Sequence, residues 1–261
     1  MLREILERVA KGQISMEEAE RLLRVLAIEE IGNLAKVDIG REFRKGIPEI
    51  ILAEGKRPGD LAEIALRMLS ESGRAIISRA EKSHIDAVRK AVPKGVTMQV
   101  DERVGIVVLR KAEFKIKRTG GKVAVLTAGT SDIPVAEEAR VVAEEMGCEV
   151  ITAYDVGVAG IHRLFSPLKE IIEADVDVIV VVAGREGALP SVVAGLVDVP
   201  VIAVPTSVGY GLGGKGVSAL MAMLQTCSLG LAVVNIDGGV AAGAVAALIA
   251  NRAAKFKMGK N

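Results

Sequence analysis

Cys227, in Leu224-Gln225-Thr226-Cys227-Ser228-Leu229-Gly230, is one of two cysteines in the chain. A free thiol is a nucleophile where nearby positive charge or dipoles support its thiolate, and otherwise a small buried hydrophobe. Cys148, in Met146-Gly147-Cys148-Glu149, fits the packing role. Cys227 fits it less well, because Thr226 and Ser228 flank it. A carboxylate and an imidazole accompany it. Glu186 sits in Gly184-Arg185-Glu186-Gly187-Ala188-Leu189-Pro190, where two glycines bracket a charged pair. That pattern reads as a tight loop at a ligand edge with a half-buried, proton-carrying Glu186, or as a solvated Arg–Glu pair worth little. His162-Arg163 reads as a general base with a cationic neighbour, or as a surface histidine at a helix start.

Two further stretches have ligand-binding chemistry. In Thr127-Ala128-Gly129-Thr130-Ser131-Asp132, Gly129 permits close backbone approach to an anion, and Ser131 or Asp132 can cap the next helix. Pro134 suits the first turn of that helix. Free N–H groups and the helix dipole there favour a phosphate; the same residues also describe an ordinary capped turn. The spacing is neither a Walker A nor a full dinucleotide fingerprint. The loop 205–216 holds Thr206, Ser207, Gly209, Tyr210 and Gly211, with five glycines and one of only two tyrosines, as a mobile lid would.

The elements that must position these residues change character along the chain. The first part is charged and helical. A short helix 4–11 ends at Gly12, and Ser15-Met16-Glu17-Glu18 is a capping box for a helix carrying Ala19, Leu22, Leu23 and Leu26. A helix 58–72 presents Leu61, Ile64, Ala65, Met68 and Leu69 on one face, and Ser83 caps a helix through Lys90. Strands are expected at 74–78, 96–100 and 105–109. His84 has no companion motif and is expected at the surface. This gives an N-terminal α+β domain, residues 1–118, with a linker at 118–122.

From residue 119 to 261 the rhythm is strand–helix. Apolar runs at 123–127, 149–152, 177–183, 200–204 and 231–236 suit strands buried on both faces. Helical segments fill 134–146, 161–173, 188–197, 216–225 and 240–252. Such alternation implies a three-layer α/β/α domain around a parallel sheet. Ligands in such folds bind outside the carboxyl ends of the strands, which gathers the loops above on one edge. Cys227 follows a helix and precedes a strand, so it is expected at the opposite edge unless a neighbouring subunit or an unusual helix end brings it to the site.

Composition narrows the function classes. The 261 residues carry a net charge of +1, 2% aromatics and no Trp, which argues against a nucleic-acid groove or base-stacking platform. Two cysteines make neither a disulfide framework nor a zinc site, and a reducing cytoplasm is the simplest compartment. Residues 216–236 are uncharged, but Ser218, Gln225, Thr226, Ser228, Gly230 and Asn235 interrupt them, so they read as a helix and a strand rather than a membrane span.

Taken together, the loops are more specific than any one alone. Residues 121–261 resemble the phosphoribosylaminoimidazole carboxylase and carboxyaminoimidazole mutase family, with its flavodoxin-like fold, through Ser131-Asp132, His162-Arg163, Ala183-Gly184 with Leu189-Pro190, the stretch 200–205, and Met223-Leu224-Gln225. The resemblance implies a Ser-Asp loop that holds a ribose phosphate, a His that handles the proton of carbon dioxide exchange, and an octamer with sites between subunits. This chain departs from those enzymes: Ala128-Gly129 stands where they carry Gly-Ser, Glu186 where they carry a small residue, and Cys227 where they carry proline. With the added N-terminal domain, the whole chain resembles the pyridinium-3,5-biscarboxylic acid mononucleotide synthase (LarB) family. Asp38, Arg41, Arg44, Gly46, Pro48-Glu49 and Lys56 share that likeness, as do 186–191 and 206–211. It implies carboxylation of the pyridinium ring of nicotinic acid adenine dinucleotide by carbon dioxide. Cys227 would form a ring adduct, Glu186 would move protons, His162 would assist, and AMP would be released with magnesium on the phosphates. Arg41 and Arg44 would bind phosphate or carboxylate, or form surface pairs. The competing functions are a purine-pathway carboxylase or mutase, which needs no thiol, and a non-enzymatic nucleotide sensor, which needs neither Cys227 nor Glu186.

Overall fold

The computed structural model describes residues 2–24, 28–31, 35–38 and 40–259. The chain forms two compact units, Met1–Lys115 and Ile116–Asn261. In the first, α1 (Leu2–Ala10) and α2 (Met16–Arg24) enclose Ile5, Ile14 and Ala19. The Ser15 hydroxyl accepts the Glu18 N–H at 3.1 Å, as the capping pattern requires. Leu26 lies outside the described residues. A hairpin of β1 (Ile28–Ile31) and β2 (Ala35–Asp38) leads to a short helix, α3 (Arg41–Lys45).

Beyond it, β3 (Ile50–Leu52), α4 (Pro58–Ser72), β4 (Arg74–Ser78), α5 (Lys82–Ala91), β5 (Val96–Asp101) and β6 (Ile106–Lys111) build a sheet ordered β3-β4-β6-β5. The apolar face of α4 is the one its spacing predicts: Leu61, Ile64, Ala65, Met68 and Leu69 are buried. Two expectations are corrected. Glu81, not Ser83, caps α5. His84 is buried rather than at the surface, because its ring closes that cap: Nδ1 accepts the Glu81 N–H at 3.1 Å, and Nε2 lies 2.8 Å from the Lys56 carbonyl.

The second unit runs β7 (Lys122–Thr127), α6 (Ile133–Glu145), β8 (Glu149–Ala153), α7 (His162–Glu173), β9 (Val178–Ala183), α8 (Leu189–Ala194), β10 (Val201–Pro205), α9 (Val217–Leu224), β11 (Leu231–Val233) and α10 (Gly239–Met258). All five strands are parallel, in the order β11-β10-β9-β7-β8. Every residue of β9 and β10 is buried, which is why these strands read as unbroken apolar runs. Leu164, Leu168 and Ile171 of α7, Leu189 and Val193 of α8, and Ala219 and Met223 of α9 join Ala124, Leu126, Ile179 and Val181 in one core layer. Helices α6 and α10 pack on each other against the other face. This is the flavodoxin-like α/β/α arrangement, preceded by a smaller α+β unit. Strand β7 sits between β8 and β9, so the chain leaves it in opposite directions and a crevice opens at their carboxyl ends. Among the described residues no helix is long and apolar enough to cross a membrane.

Candidate active site

A cavity of about 930 Å³ occupies that crevice. The loop after β7 lines it with Gly129, Ser131 and Asp132; the segment between β8 and α7 adds Gly157, Val158 and Ala159, with Arg163 from the first turn of α7. The loop after β9 contributes Gly184, Arg185, Glu186, Ala188 and Leu189, and the loop after β10 contributes Val208, Gly209 and Tyr210.

One carboxylate fastens three of these loops. Asp132, only 4% exposed, takes the Gly129 N–H on Oδ2 at 2.9 Å and the Thr206 hydroxyl on Oδ1 at 2.7 Å. The Gly184 N–H also donates to it. Burial raises the carboxyl above its ordinary range, against these hydrogen bonds, and the charge of Asp237 pushes the same way as burial. Asp132 therefore does not cap α6 with its side chain. It folds back to close its own loop. Gly184 has no room for a side chain: a Cβ there would lie 2.5 Å from the Val208 carbonyl and 2.6 Å from Thr206 Oγ1.

The next four residues form a tight turn, with the Gly187 N–H on the Gly184 carbonyl at 3.0 Å. Gly187 has φ +64, and a Cβ would meet the Ala219 carbonyl at 2.8 Å. Inside the turn Arg185 also takes a positive φ, 54°. Its backbone is held from both sides: its N–H donates to Val208 O at 3.2 Å, and its carbonyl accepts the Ser218 hydroxyl at 2.8 Å. The Arg185 guanidinium lies over the Tyr210 ring, 4.3 Å from its centroid. Glu186 lines the cavity and is exposed rather than half-buried. Among the described residues it has no hydrogen-bond or ion-pair partner, so no Arg185–Glu186 pair forms.

Arg163 is anchored by Asp155, Nη1 to Oδ2 at 2.5 Å, and the Asp155 N–H is held by Thr127 Oγ1 at 3.0 Å. His162 begins α7 and is exposed, but it does not line the cavity. Thr130, Gly187, Ser207 and Gly211 belong to the same loops, and Pro190 to the first turn of α8, without lining the cavity; the Ser207 N–H donates to Asp237 at 2.8 Å.

Cys227 lies elsewhere. It is exposed, beyond the end of α9. The neighbouring Ser228 hydroxyl donates to Ser191 O at 2.7 Å, and Gly230 O accepts the N–H of Val201, the first residue of β10. The cavity is at the far end of that strand, ~13 Å away for four residue steps. Within one copy the thiol thus lies outside the cavity lining to which Glu186 belongs. Val217, Met221 and Leu224 on α9, and Leu229 beyond it, are exposed apolar side chains leading to Cys227. Cys148 is fully buried, and burial pushes its thiol up to about 11.

In the N-terminal unit Arg41 pairs with Glu49 at 2.7 Å and Arg44 with Asp38 at 2.5 Å. The hydrogen bond from Arg44 holds the Asp38 carboxyl below its ordinary range. Lys56 donates to Leu52 O at 2.7 Å. Sequence reasoning missed one residue of the site, Asp155, and named Thr206 only as part of the loop 205–216, without its tie to Asp132. Those ties join segments distant in sequence.

Comparison with known proteins gives the same division. Residues 122–258 match the AIR carboxylase family and residues 28–111 match the LarB/PurE-like N-terminal domain. An uncharacterized protein of Methanocaldococcus jannaschii is 46% identical over 251 residues, covering 95% of this chain and 96% of that protein. The N5-carboxyaminoimidazole ribonucleotide mutase of the same organism is 34% identical over 119 residues, 45% of this chain and 71% of the mutase. The corresponding mutase of Thermotoga maritima is 29% identical over 133 residues, 49% of this chain and 74% of that enzyme. With both domains matched in order, the chain belongs to the LarB family, whose C-terminal half is an AIR carboxylase-type, PurE-like domain.

Proposed function

We propose that the protein carboxylates the pyridinium ring of nicotinic acid adenine dinucleotide and cleaves its phosphoanhydride, giving pyridinium-3,5-biscarboxylic acid mononucleotide and AMP. The observation that carries this reading is a carboxylate, Glu186, that has no partner among the described residues and lines a cavity of about 930 Å³, near the upper end for small-molecule sites. The Gly129–Asp132 loop, opening α6, and Arg163 offer anion contacts.

An electron-poor pyridinium cannot attack carbon dioxide. Addition of the Cys227 thiolate forms a C–S bond and sends a ring π pair onto the ring nitrogen, cancelling the charge. The resulting enamine carbon attacks carbon dioxide and forms the C–C bond. Glu186 accepts the proton from that carbon, the electrons restore the ring, and the C–S bond breaks with its pair returning to sulfur. Covalent catalysis of this kind divides one hard step into easier ones. Water then adds to the phosphorus of the nicotinate half, the bridging P–O bond breaks with its pair leaving on AMP, and the water proton passes to solvent. Magnesium, on this reading, arrives on the phosphates: among the described residues no group of three His, Cys, Asp or Glu side chains could hold an ion, and the Asp132 oxygens accept hydrogen bonds from neighbouring loops. No step is routed through it.

The thiol reaches the ring from a second copy of the chain. The exposed apolar residues Val217, Met221, Leu224 and Leu229 beside Cys227 support such a contact, and an octamer is the assembly this family likeness implies. His162 assists only from the rim.

The test is incubation with nicotinic acid adenine dinucleotide, bicarbonate and magnesium, followed by mass spectrometry of the products. Absence of both the biscarboxylated mononucleotide and AMP overturns the reading. The likeness to N5-carboxyaminoimidazole ribonucleotide mutases favours a second reading, a purine-type carboxylase or mutase. That activity would survive Cys227→Ala, whereas ring carboxylation would not.

A further inference from the structure

The Arg185–Tyr210 contact lies outside the core clusters of the described residues. Tyr210 is 78% exposed, with glycines on both sides, and its ring supports nothing in the core. Arg185 nevertheless holds a backbone conformation that non-glycine residues rarely adopt, φ +54, which has a cost unless the surroundings enforce it. Val208 O and the Ser218 hydroxyl enforce it here. The outcome is a planar, delocalised cation laid against an aromatic face at 4.3 Å, and both residues line the cavity.

We infer that Tyr210 is the recognition platform for a cationic aromatic ring, and that Arg185 competes with that ring for the same aromatic face. This rests on the proposed function, which supplies the pyridinium ring. A pyridinium is the same kind of group as a guanidinium, flat and positively charged, so it can take the same place on the quadrupole of the Tyr210 ring. Arg185, displaced, is left beside a ligand that carries phosphates and a carboxylate, both of which a guanidinium binds through paired hydrogen bonds. The exchange trades one cation–π contact for another and adds an ion pair. It selects for ring charge. A neutral ring gains less from Tyr210 and leaves Arg185 where it was. Once thiolate addition has cancelled the ring charge, the preference for Tyr210 falls, and the platform does not hold the adduct as it holds the substrate.

The test compares binding of nicotinic acid mononucleotide, its reduced dihydropyridine form and AMP to the full chain, by calorimetry. Tyr210→Leu should weaken the pyridinium ligand roughly 5- to 30-fold, which corresponds to a cation–π contact of about 1–2 kcal/mol, and should change the other two by less than about 3-fold. Tyr210→Phe should keep near wild-type affinity. The chain has no Trp, and its other tyrosine, Tyr154, donates its hydroxyl to Glu137. A Tyr154→Phe background therefore leaves Tyr210 as the sole emitter, and the pyridinium ligand should quench it saturably at the calorimetric Kd. Equal losses for charged and neutral rings, or no loss with Tyr210→Leu, overturn the inference while leaving the proposed function standing. Failure of the wild type to bind any pyridinium ligand overturns both.

Discussion

Thr206 donates its hydroxyl to Asp132 across 2.7 Å, and both residues are buried. They are 74 positions apart in sequence. The contact joins the loop after β10 to the loop after β7, on either side of the crevice, and the Gly184 N–H brings the loop after β9 to the same carboxylate. The cavity owes its shape to this junction as much as to the residues that face a ligand.

Asp132 should leave a signature in stability against pH. Its carboxyl is raised, chiefly by burial, so between the unfolded value and the raised one the folded protein keeps a proton that the unfolded chain has released. The stability it contributes is therefore full below the ordinary carboxyl value of about 3.9 and is lost as pH rises through the raised value. Thermal unfolding of wild type and Asp132→Asn in parallel would isolate the group. The wild-type advantage over the variant should shrink with rising pH and then level off. An advantage that grew with pH would show the carboxyl to be depressed instead.

Two glycines of the cavity should respond unequally to the same change. Gly184→Ala drives a methyl group into the Val208 carbonyl and Thr206, at 2.5 and 2.6 Å. Overpacking of that kind costs about 1–3 kcal/mol, and a Tm drop of several degrees is expected. Gly129→Ala meets nothing closer than Asp132 Oδ2 at 3.7 Å and should lie within about 0.5 kcal/mol of wild type. Equal melting temperatures for the two variants would contradict the described packing.

If the thiol acts across copies, two dead variants should repair each other. Cys227→Ser and Glu186→Gln are each expected to lose ring carboxylation. Subunits of the two mixed, unfolded and refolded together should recover about a quarter of wild-type activity, because random neighbours complete about that share of sites. Refolding each variant alone should recover none. No recovery in the mixture would place both groups in one copy's site.

Much of the catalytic unit was legible because double-sided burial writes itself as unbroken apolar runs. Strands β7, β9 and β10 read that way. The last strand was read too long: only Leu231–Val233 pairs, since β11 is an edge strand with one neighbour. The loops after β7, β9 and β10 were found because parallel sheets place ligand loops at their carboxyl ends. What each side chain does there was less legible. Ser131 and Asp132 look equally able to cap a helix, and only the distant Thr206 and Gly184 decide that Asp132 turns inward. The sequence leaves Glu186 either half-buried or in a solvated Arg–Glu pair, and it does not reveal the close approach of Ala219 to Gly187 in that turn. His84 was read as a surface residue because its partner, the Lys56 carbonyl, is 28 positions away.

The carboxylate shared by Gly129, Gly184 and Thr206 carries a consequence for how the crevice breathes. A loop with its own anchor can open while its neighbours stay shut. Here the anchor is common, so release of one loop weakens the hold on the other two, and opening is collective. A ligand that seats against any one of them would quiet them all.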